Sequence, residues 1–466
     1  MSKLKIVLLT FVINFSSTAA TANQTITIER IFQSPELDGS SVMNLQFSPD
    51  GSRLSFLKPK AENYEVLDLW EYDLKTGQPR MLVDSNSLKF GELSETEKAR
   101  RERQRISQKG IIEYYWSNNG KRLVFPAAGE LYLYTVEGKK LNPLTRGNTN
   151  ATDVRFSPQD GFISFVQNQN LVIVDSKNFK KHFVTTAGKG PVAFGVAEFI
   201  AQEEMNRFTG YWWSSNDKYL ALTKTDESSV KLIERYDIDA DKVVVHKERY
   251  PEAGSANAVV QLAVVNMANV VKGKPKLEWI PLGKNKDIYL ANAKWNADHK
   301  LIYQIQTRDQ KRLDIFSYDP VTKVNKLLFS ETDDKWVNLI STGKMLKKSS
   351  RFIWHSDRSG FKHLYLYKND GTLIRALTQG DWGVDTVVGV DEELGWVYFL
   401  AGLPTPLEKN LYRVSLESET EPQLLTKELG WHNAVMSEKA DMFVDFRSSP
   451  VTPTQVYLHK GNGDLV

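Results

Sequence analysis

Phe47-Ser-Pro-Asp-Gly51, with the apolar run Arg53-Leu-Ser-Phe-Leu57 directly behind it, is the first copy of the pattern that decides the fold. In each copy an apolar or aromatic residue precedes Ser or Asn, then come turn residues, and then a second apolar run. Because Asp, Asn and Gly favour tight turns between strands, each copy predicts a β-hairpin. Further copies are Trp116-Ser-Asn-Asn-Gly120, Phe156-Ser-Pro-Gln-Asp-Gly161, Trp213-Ser-Ser-Asn-Asp217 and Trp295-Asn-Ala-Asp298, with weaker ones at Val390-Asp-Glu-Glu-Leu-Gly395 and Met436-Ser-Glu-Lys-Ala-Asp441.

The repetition of this pattern predicts a closed ring of small sheets. Alternating runs such as Leu131-Tyr-Leu-Tyr134 and His363-Leu-Tyr-Leu-Tyr367 supply additional strands between the copies. Repeats of about 40–50 residues with four strands each are typical of β-propeller blades. The length of the chain, 466 residues, fits eight blades, with seven as the alternative. We therefore expect an all-β propeller; a row of β-sandwiches is the other option, but no linker rich in Pro, Gly or Ser divides the chain.

Composition excludes several classes of protein. The 60 Lys and Arg residues nearly balance the 57 Asp and Glu residues, so a net charge of +3 gives no case for a nucleic-acid or membrane surface. The chain has no cysteine, which excludes disulfides, thiolate metal sites, cysteine nucleophiles and a lipoprotein anchor. A metal site at His355, Asp357 and His363 is disfavoured because residues 357–360 have the composition of a hairpin turn. We expect neither a metal nor a cofactor.

The N-terminus has the features of an export signal. Lys3 and Lys5 precede an apolar run at residues 6–15, and Ala20-Thr-Ala22 is a small-residue cleavage site. We predict a cleaved signal peptide at residues 1–22, a propeller domain at residues 23–466, and a periplasmic or secreted protein. An uncleaved anchor is the alternative, but the apolar run is shorter than the ~18–20 residues that span a bilayer.

Two predicted helices interrupt the strands. Residues 89–105 form a charged helix, with a capping box at Ser94 and Glu97 and five basic against two acidic residues from Glu97 to Arg105. The second helix contains Val196, Phe199 and Ile200 as one apolar stripe. Glu203 and Glu204 lie four residues after Phe199 and Ile200, so both carboxylates continue the face expected to point inward. A solvated surface is the alternative for both helices.

Three stretches of sequence occur in a specific order. The first stretch is Glu97-Lys-Ala-Arg-Arg-Glu-Arg-Gln-Arg105. The second includes Glu203-Glu204, Gly210-Tyr-Trp-Trp-Ser-Ser-Asn-Asp217 and Asp226-Glu-Ser228. The third is Trp354-His-Ser-Asp-Arg-Ser-Gly-Phe-Lys-His-Leu-Tyr-Leu-Tyr367. Together they resemble the bacterial dipeptidyl peptidase IV family, which belongs to the prolyl oligopeptidase superfamily of serine peptidases.

The resemblance implies roles for three residues. In the family, paired glutamates bind the N-terminal ammonium of a peptide, which assigns that role to Glu203 and Glu204. An arginine binds the first substrate carbonyl, and the best match is Arg105, with Arg103 as the alternative. Family members also carry a C-terminal α/β-hydrolase domain with a Gly-x-Ser-x-Gly nucleophile motif, and this chain contains no such motif. We therefore expect no catalytic residue here and no hydrolysis by this chain alone.

The sequence thus favours the substrate-recognition propeller of an exported serine dipeptidyl peptidase. Its expected partners are peptide N-termini, with Pro or Ala preferred at the second position by family likeness, and the C-terminal hydrolase domain. Oligomeric state is left open, with a homodimer as one option. The competing class is a non-catalytic propeller that acts in binding or as a scaffold; a generic ligand-binding propeller has no motif to support it.

Overall fold

The computed structural model describes residues 26–34, 37, 39, 41–88, 93, 95–127, 129–147, 149–339, 343–403 and 405–466. The predicted signal peptide at residues 1–22 and the predicted capping residue Ser94 lie outside these residues. Within the described chain, the strands form eight sheets and one separate hairpin. Each of the eight sheets is one blade of a β-propeller, so the eight-bladed prediction is confirmed and the seven-bladed and sandwich alternatives are wrong.

Antiparallel strands in chain order build each blade from the inside of the ring outward. In blade 1 they are β1 (Met43–Phe47), β2 (Arg53–Pro59), β3 (Val66–Asp73) and β4 (Gln78–Val83), with β5 (Lys109–Gly110) added in parallel to β3; in blade 2 they are β6 (Tyr115–Trp116), β7 (Arg122–Ala127), β8 (Glu130–Thr135) and β9 (Lys140–Pro143); and in blade 3 they are β10 (Thr152–Phe156), β11 (Phe162–Gln167), β12 (Asn170–Asp175) and β13 (Lys181–Phe183).

Blade 4 has a divided inner strand and carries the hairpin. It contains β14 (Val192–Phe194) and β15 (Tyr211–Trp213), which both pair with β16 (Tyr219–Asp226), and then β19 (Val259–Asn266) and β20 (Leu277–Trp279). The hairpin of β17 (Leu232–Ile238) and β18 (Val243–Arg249) projects between β16 and β19. Trp213 packs into the core shared with blade 3 and Trp212 against the core shared with blade 5, as strand alternation predicts.

The last four blades again have antiparallel strands in chain order, four strands in blades 5 to 7 and three in the described part of blade 8. Their strands are β21 (Ile288–Trp295), β22 (Leu301–Thr307), β23 (Arg312–Tyr318) and β24 (Asn325–Thr332) in blade 5; β25 (Lys344–Met345), β26 (Arg351–Ser356), β27 (His363–Lys368) and β28 (Leu373–Ala376) in blade 6; β29 (Val384–Asp391), β30 (Trp396–Ala401), β31 (Asn410–Ser415) and β32 (Gln423–Leu424) in blade 7; and β33 (Trp431–Met436), β34 (Met442–Ser449) and β35 (Thr452–Lys460) in blade 8.

Every copy of the sequence pattern ends the first strand of a blade and begins the second. The pattern missed one blade, because the turn between β25 and β26 of blade 6 contains Lys and Ser at residues 347–350 instead of Asp, Asn and Gly. Four short α-helices lie in the described chain: α1 (Ile28–Phe32), α2 (Glu95–Arg103), α3 (Phe199–Glu204) and α4 (Met267–Val271), with 3-10 turns at Ser85–Ser87 and Glu137–Lys139. None of them is long and apolar enough to cross a membrane.

Apolar cores lie between neighbouring blades, and one of them closes the ring. Leu45 and Phe56 of blade 1 pack with Val444 and Leu458 of blade 8. The interior of the protein is therefore a circle of cores, each shared by two sheets.

Strand direction gives the propeller two distinct faces. Successive strands within a blade run in opposite directions, so the connections between blades and the turns between second and third strands share one face. We call this the linker face. The turns between first and second strands share the opposite face, which we call the turn face. Helix α2 lies on the linker face because it belongs to the connection between blades 1 and 2.

Candidate functional site

Helix α2 is fixed to the propeller by ion pairs at its base. Glu97 accepts hydrogen bonds from Arg100 Nε and Arg101 Nε, each at 2.8 Å, and Arg100 Nη2 lies 2.7 Å from Glu113 Oε1 ahead of blade 2. Burial disfavours the charged form of Glu97, but Arg100 and Arg101 outweigh it and hold the pKa of this carboxyl below its usual value. The helix therefore keeps a defined position although it is mostly polar.

The end of α2 decides where the two candidate arginines lie. Arg105 has φ +56, its N–H bonds to Glu102 O at 3.0 Å, and the N–H of Ile106 bonds to Arg101 O at 2.8 Å. This pair of hydrogen bonds is the Schellman motif, in which the left-handed residue reverses the chain after a helix. Arg105 therefore leaves the helix with an exposed side chain, which forms no ion pair with any described residue.

Arg103, on the last turn of α2, reaches α3. Its Nε lies 3.7 Å from Glu203 Oε1, and its Nη1 lies 3.4 Å from Gln202 Oε1. The guanidinium also sits 5.0 Å from the centre of the Phe199 ring. The structure thus brings Arg103, the alternative that the sequence left open, from α2 to Glu203, whereas Arg105 makes no such contact among the described residues.

Helix α3 lies in the segment that connects β14 and β15, the two parts of the inner strand of blade 4, and a buried ion pair stabilises this segment. Arg207 Nη2 lies 2.8 Å from Glu198 Oε2, and the two side chains are only 1% and 5% exposed. The N–H of Arg207 also bonds to Ala201 O at 2.9 Å. The pair joins the residue before the helix to the residues after it, so it fixes the direction of α3.

The buried face of α3 differs from the predicted one. Val196 precedes the helix, and Phe199 and Ile200 are only half-buried. The residues that pack inward are Ala197 and Ala201 together with Glu198. The predicted stripe is wrong because a helix of six residues, starting at Phe199, is too short for its apolar periodicity to set its orientation.

The paired carboxylates also differ in exposure. The side chain of Glu203 is 26% exposed and faces Arg103, whereas Glu204 is exposed and pairs with no described residue. The prediction that both point inward therefore holds only in part for Glu203 and is wrong for Glu204. Glu203 therefore has an arginine partner and Glu204 has none among the described residues, so the Glu204 carboxylate suits an added cation.

A third carboxylate, which the sequence analysis did not single out as a site residue, lies close by. Burial raises the pKa of Glu227, the neighbouring charge of Glu198 raises it further, and Arg103 and Arg249 oppose these effects. Glu227 lines a small pocket beside α3 with Phe199 and others. The spacing of Glu198, Glu227 and Arg207 along the sequence does not indicate that they lie close together, because their proximity depends on how the segment that contains α3 folds.

The two histidines of the Trp354 stretch, His355 and His363, are buried within blade 6. Both ring nitrogens of His363 are engaged, with Thr378 Oγ1 at 3.0 Å and Gly380 O at 2.9 Å. Burial lowers the pKa of His355 to about 4. In the part of the chain that the structure describes, no group of three or more His, Cys, Asp or Glu residues is arranged to hold a metal ion.

Comparison with known proteins decides the family. Residues 109–454, well over half of the chain, match the family model described as "Dipeptidyl peptidase IV (DPP IV) N-terminal region". The chain belongs to the dipeptidyl peptidase IV family. The match begins after Arg105, so it includes Glu203 and Glu204 but not the arginines of α2.

Individual relatives agree with this family. The chain is 27% identical to a dipeptidyl peptidase 4 of Trichophyton equinum, covering 70% of this chain and 43% of the relative. It is 24% identical to human dipeptidyl peptidase 8, covering 88% and 57%. Its structure resembles that of Porphyromonas gingivalis dipeptidyl peptidase 4, with a TM-score of 0.75, 22% identity and coverage of 90% and 58%. The chain therefore spans about half the length of these dipeptidyl peptidase IV relatives. Substrate binding by Glu203, Glu204 and Arg105 stays a prediction.

Proposed function

We propose that this chain is the substrate-recognition propeller of an exported serine dipeptidyl peptidase. The observation that carries the proposal is the approach of Arg103 to Glu203, which brings together helices α2 and α3, the two segments to which the family resemblance assigns substrate-binding residues. One excess carboxylate beside a held arginine suits a peptide N-terminus, which offers an ammonium next to a carbonyl oxygen.

In this proposal the site measures position along a peptide. Glu203 and Glu204 bind the α-ammonium, and an arginine of the α2 segment donates to the first carbonyl. Arg103 is preferred over Arg105 because its side chain already lies at the carboxylates. Two charge-assisted contacts fix the register of the peptide, so a serine on a hydrolase domain would cut after the second residue, with Pro or Ala preferred there.

A binding experiment tests the recognition role with the chain itself. Calorimetric titration compares a peptide that has a free N-terminus and Pro at its second position with the same peptide after N-acetylation. We expect only the free amine to bind, and Glu203→Gln to weaken binding about tenfold or more, because it removes a charged partner of the ammonium. Glu421→Gln, at an exposed residue between β31 and β32 of blade 7, is the control. Equal binding of both peptides would overturn the proposal and favour a propeller with another ligand.

The expectation that this chain alone hydrolyses nothing is tested separately. A propeller that works with a hydrolase domain should bind dipeptide-type amines at the affinity of a substrate and show no hydrolysis alone. Cleavage of an alanyl-proline amide by the purified chain, blocked by a serine-directed phosphonate, would contradict the assignment of a recognition part.

Export and assembly are further parts of the proposal. The basic residues, apolar run and Ala20-Thr-Ala22 support export, and sequencing of the mature N-terminus should find a start near residue 23. A homodimer is supported by the hairpin of β17 and β18, which exposes the apolar side chains of Leu232, Tyr236, Ile238, Val243, Val244 and Val245. Light scattering should give twice the mass of the chain, and a monomeric mass would contradict it.

A further inference from the structure

The turns of blades 2 and 3 on the turn face carry an excess of basic side chains. The balanced charge of the whole chain gives no case for a membrane surface, but the balance does not hold here. Residues 117–122, 136–140 and 175–183 contain Glu137 and Asp175 as their only carboxylates. The exposed lysines of the same segments are Lys121, Lys139, Lys140, Lys177, Lys180 and Lys181. We call these six lysines, together with Phe179 and Phe183, the basic patch.

Hydrogen bonds join the three segments of the basic patch. Arg122 Nη1 of blade 2 donates to Ser176 O of blade 3 at 2.8 Å. Within blade 2, the N–H of Val136 donates to Lys121 O at 3.0 Å. The three segments therefore meet at the boundary between the two blades and form one continuous surface.

Strand pairing places the outer lysines on facing sides of the two blades. Lys140 pairs with Thr135, which pairs with Arg122, the residue that reaches blade 3. In blade 3, Lys181 pairs with Val174, whose side chain belongs to the core between blades 2 and 3. Paired residues of antiparallel strands share one side of the sheet. Lys140 and Lys181 thus border the same gap between neighbouring blades.

The basic patch keeps its positive charge because the carboxylates around it do not pair with its lysines. None of the six lysines forms an ion pair with a described residue. Asp175 and Asp160 each accept two backbone N–H groups instead. By contrast, Lys323 in the corresponding turn of blade 5 lies 2.8 Å from Glu278. The charge of the basic patch is therefore available to an anionic partner.

Phe179 lies in the outer turn of blade 3, in a backbone conformation that favours glycine. Its φ is +58, and its N–H bonds to Asp175 O at 2.9 Å. Blade 1 closes the same kind of turn with Gly77, whose φ is +68 and whose N–H lies 2.9 Å from Asp73 O. A side chain disfavours this conformation, yet the Phe179 ring is 52% exposed and gains little from packing; Phe183 is 50% exposed. A strained, exposed apolar residue is typical of a contact surface.

We propose that the basic patch docks this protein on the surface of an anionic lipid bilayer. Its lysines attract acidic headgroups, and the rings of Phe179 and Phe183 enter the boundary between headgroups and acyl chains. A phenyl ring has no hydrogen-bonding group, so it suits this boundary better than a partner recognised by polar contacts. Because the basic patch lies on the turn face, docking leaves the linker face with α2 accessible. The proposal does not depend on peptide recognition.

Vesicle sedimentation tests the docking. The chain is prepared from residue 23, because the apolar run at residues 6–15 would bind lipid by itself and lies outside the described strands. The vesicles contain phosphatidylglycerol and phosphatidylcholine in equal amounts, or phosphatidylcholine alone. We expect binding to the anionic vesicles that falls at high salt, and binding to the neutral vesicles that is weaker by about tenfold or more.

Two variants with matched controls separate the charge from the ring. A lysine near an anionic bilayer contributes a factor of about five to the affinity, so Lys180→Gln should weaken binding about fivefold. Lys284→Gln, at an exposed residue between blades 4 and 5 on the linker face, should not change it. Phe179→Gly gives the turn its preferred residue, so it should keep the fold and weaken binding about fivefold. Leu407→Ser, at a residue that is 84% exposed on the linker face, is its control.

The outcomes decide between a bilayer and other anionic partners. If the wild-type chain does not bind the anionic vesicles, or if neither Lys180→Gln nor Phe179→Gly weakens its binding, the proposal is overturned. Weaker binding of Lys180→Gln with unchanged binding of Phe179→Gly would mean that the surface recognises charge alone, as a nucleic-acid surface does, and it would overturn docking through the rings. Weaker binding of both variants, with both controls unchanged, supports the bilayer.

Discussion

Replacing Arg105 and Arg103 in separate variants distinguishes their roles more sharply than any other change. Arg105 occupies the left-handed position of the Schellman motif, where glycine is the preferred residue. A side chain in that backbone conformation costs roughly 1–2 kcal/mol, and glycine loses about 0.5–1 kcal/mol more backbone entropy on folding. Arg105→Gly should therefore raise the free energy of unfolding by about 0.5 kcal/mol.

Arg103→Met should act in the opposite direction. The ion pair with Glu203 joins side chains that are 24% and 26% exposed, so solvent screens it and its loss costs about 0.5 kcal/mol. The contact with the Phe199 ring adds about 0.5 kcal/mol. Arg103→Met should therefore lower the stability by about 1 kcal/mol in a denaturant titration, which leaves the propeller folded.

Binding measurements with two ligands complete the comparison. A peptide presents an ammonium and a carbonyl, whereas a simple alkylamine presents only the ammonium. Loss of a charged donor to the carbonyl costs about 1.5–3 kcal/mol, so Arg103→Met should weaken peptide binding about tenfold to a hundredfold. Alkylamine binding should stay equal or strengthen, because a competing cation beside Glu203 is gone.

Arg105→Gly should leave both affinities unchanged. The reasoning is refuted if the glycine variant, folded and at least as stable as the wild type, loses peptide affinity while Arg103→Met does not. In that case Arg105 is the carbonyl contact, and its exposed position changes when a peptide binds.

Three other predictions concern stability. Arg207→Met leaves Glu198 buried without a partner and should cost about 3–5 kcal/mol in a urea titration; a loss below 1 kcal/mol would mean that the pair does not brace α3. Burial disfavours the charged form of His432, but Asp445 outweighs this effect and raises the pKa of His432. The contribution of this pair to stability is therefore complete below the usual histidine pKa near 6.5 and is lost as the pH rises through the raised pKa. His432→Gln should flatten that part of a plot of stability against pH, and an unchanged slope would contradict the assignment. Gly110→Ala places a Cβ 2.5 Å from a backbone oxygen of β3, at a residue with φ +79. This change should lower the melting temperature by several degrees. An unchanged melting temperature would show that β5 can move away from β3.

The sequence predicted the architecture because the decisive signal is local. Turn residues after Phe47, Trp116 or Phe156 specify hairpins regardless of what surrounds them, and repetition makes the ring the natural solution. The turn of blade 6 was missed because Lys347 and Lys348 lack that local chemistry. The number of blades was still predicted correctly, since chain length is independent of any single turn.

The candidate site was predicted less completely because its geometry is not local. Glu203 and Glu204 were found through their place on the predicted helix and through the family resemblance. Their different exposure depends on the Glu198–Arg207 pair, whose members are not spaced as neighbours on a helix. The position of Arg105 follows from a Schellman motif with arginine in place of the usual glycine, so no glycine marked the end of α2 at residue 105. Sequence reasoning therefore supplied the residue types and left open which arginine meets the carboxylates.

The shared core of blades 1 and 8 has a consequence for how this protein is made. The apolar side chains of β1 and β2 are completed by strands of the last blade, so the first blade to be synthesised is the one that waits longest for its neighbour. A contact between distant parts of a chain forms slowly and leaves apolar surface uncovered meanwhile. Blade 1 therefore reaches its final stability only after blade 8 has been synthesised and has packed against it.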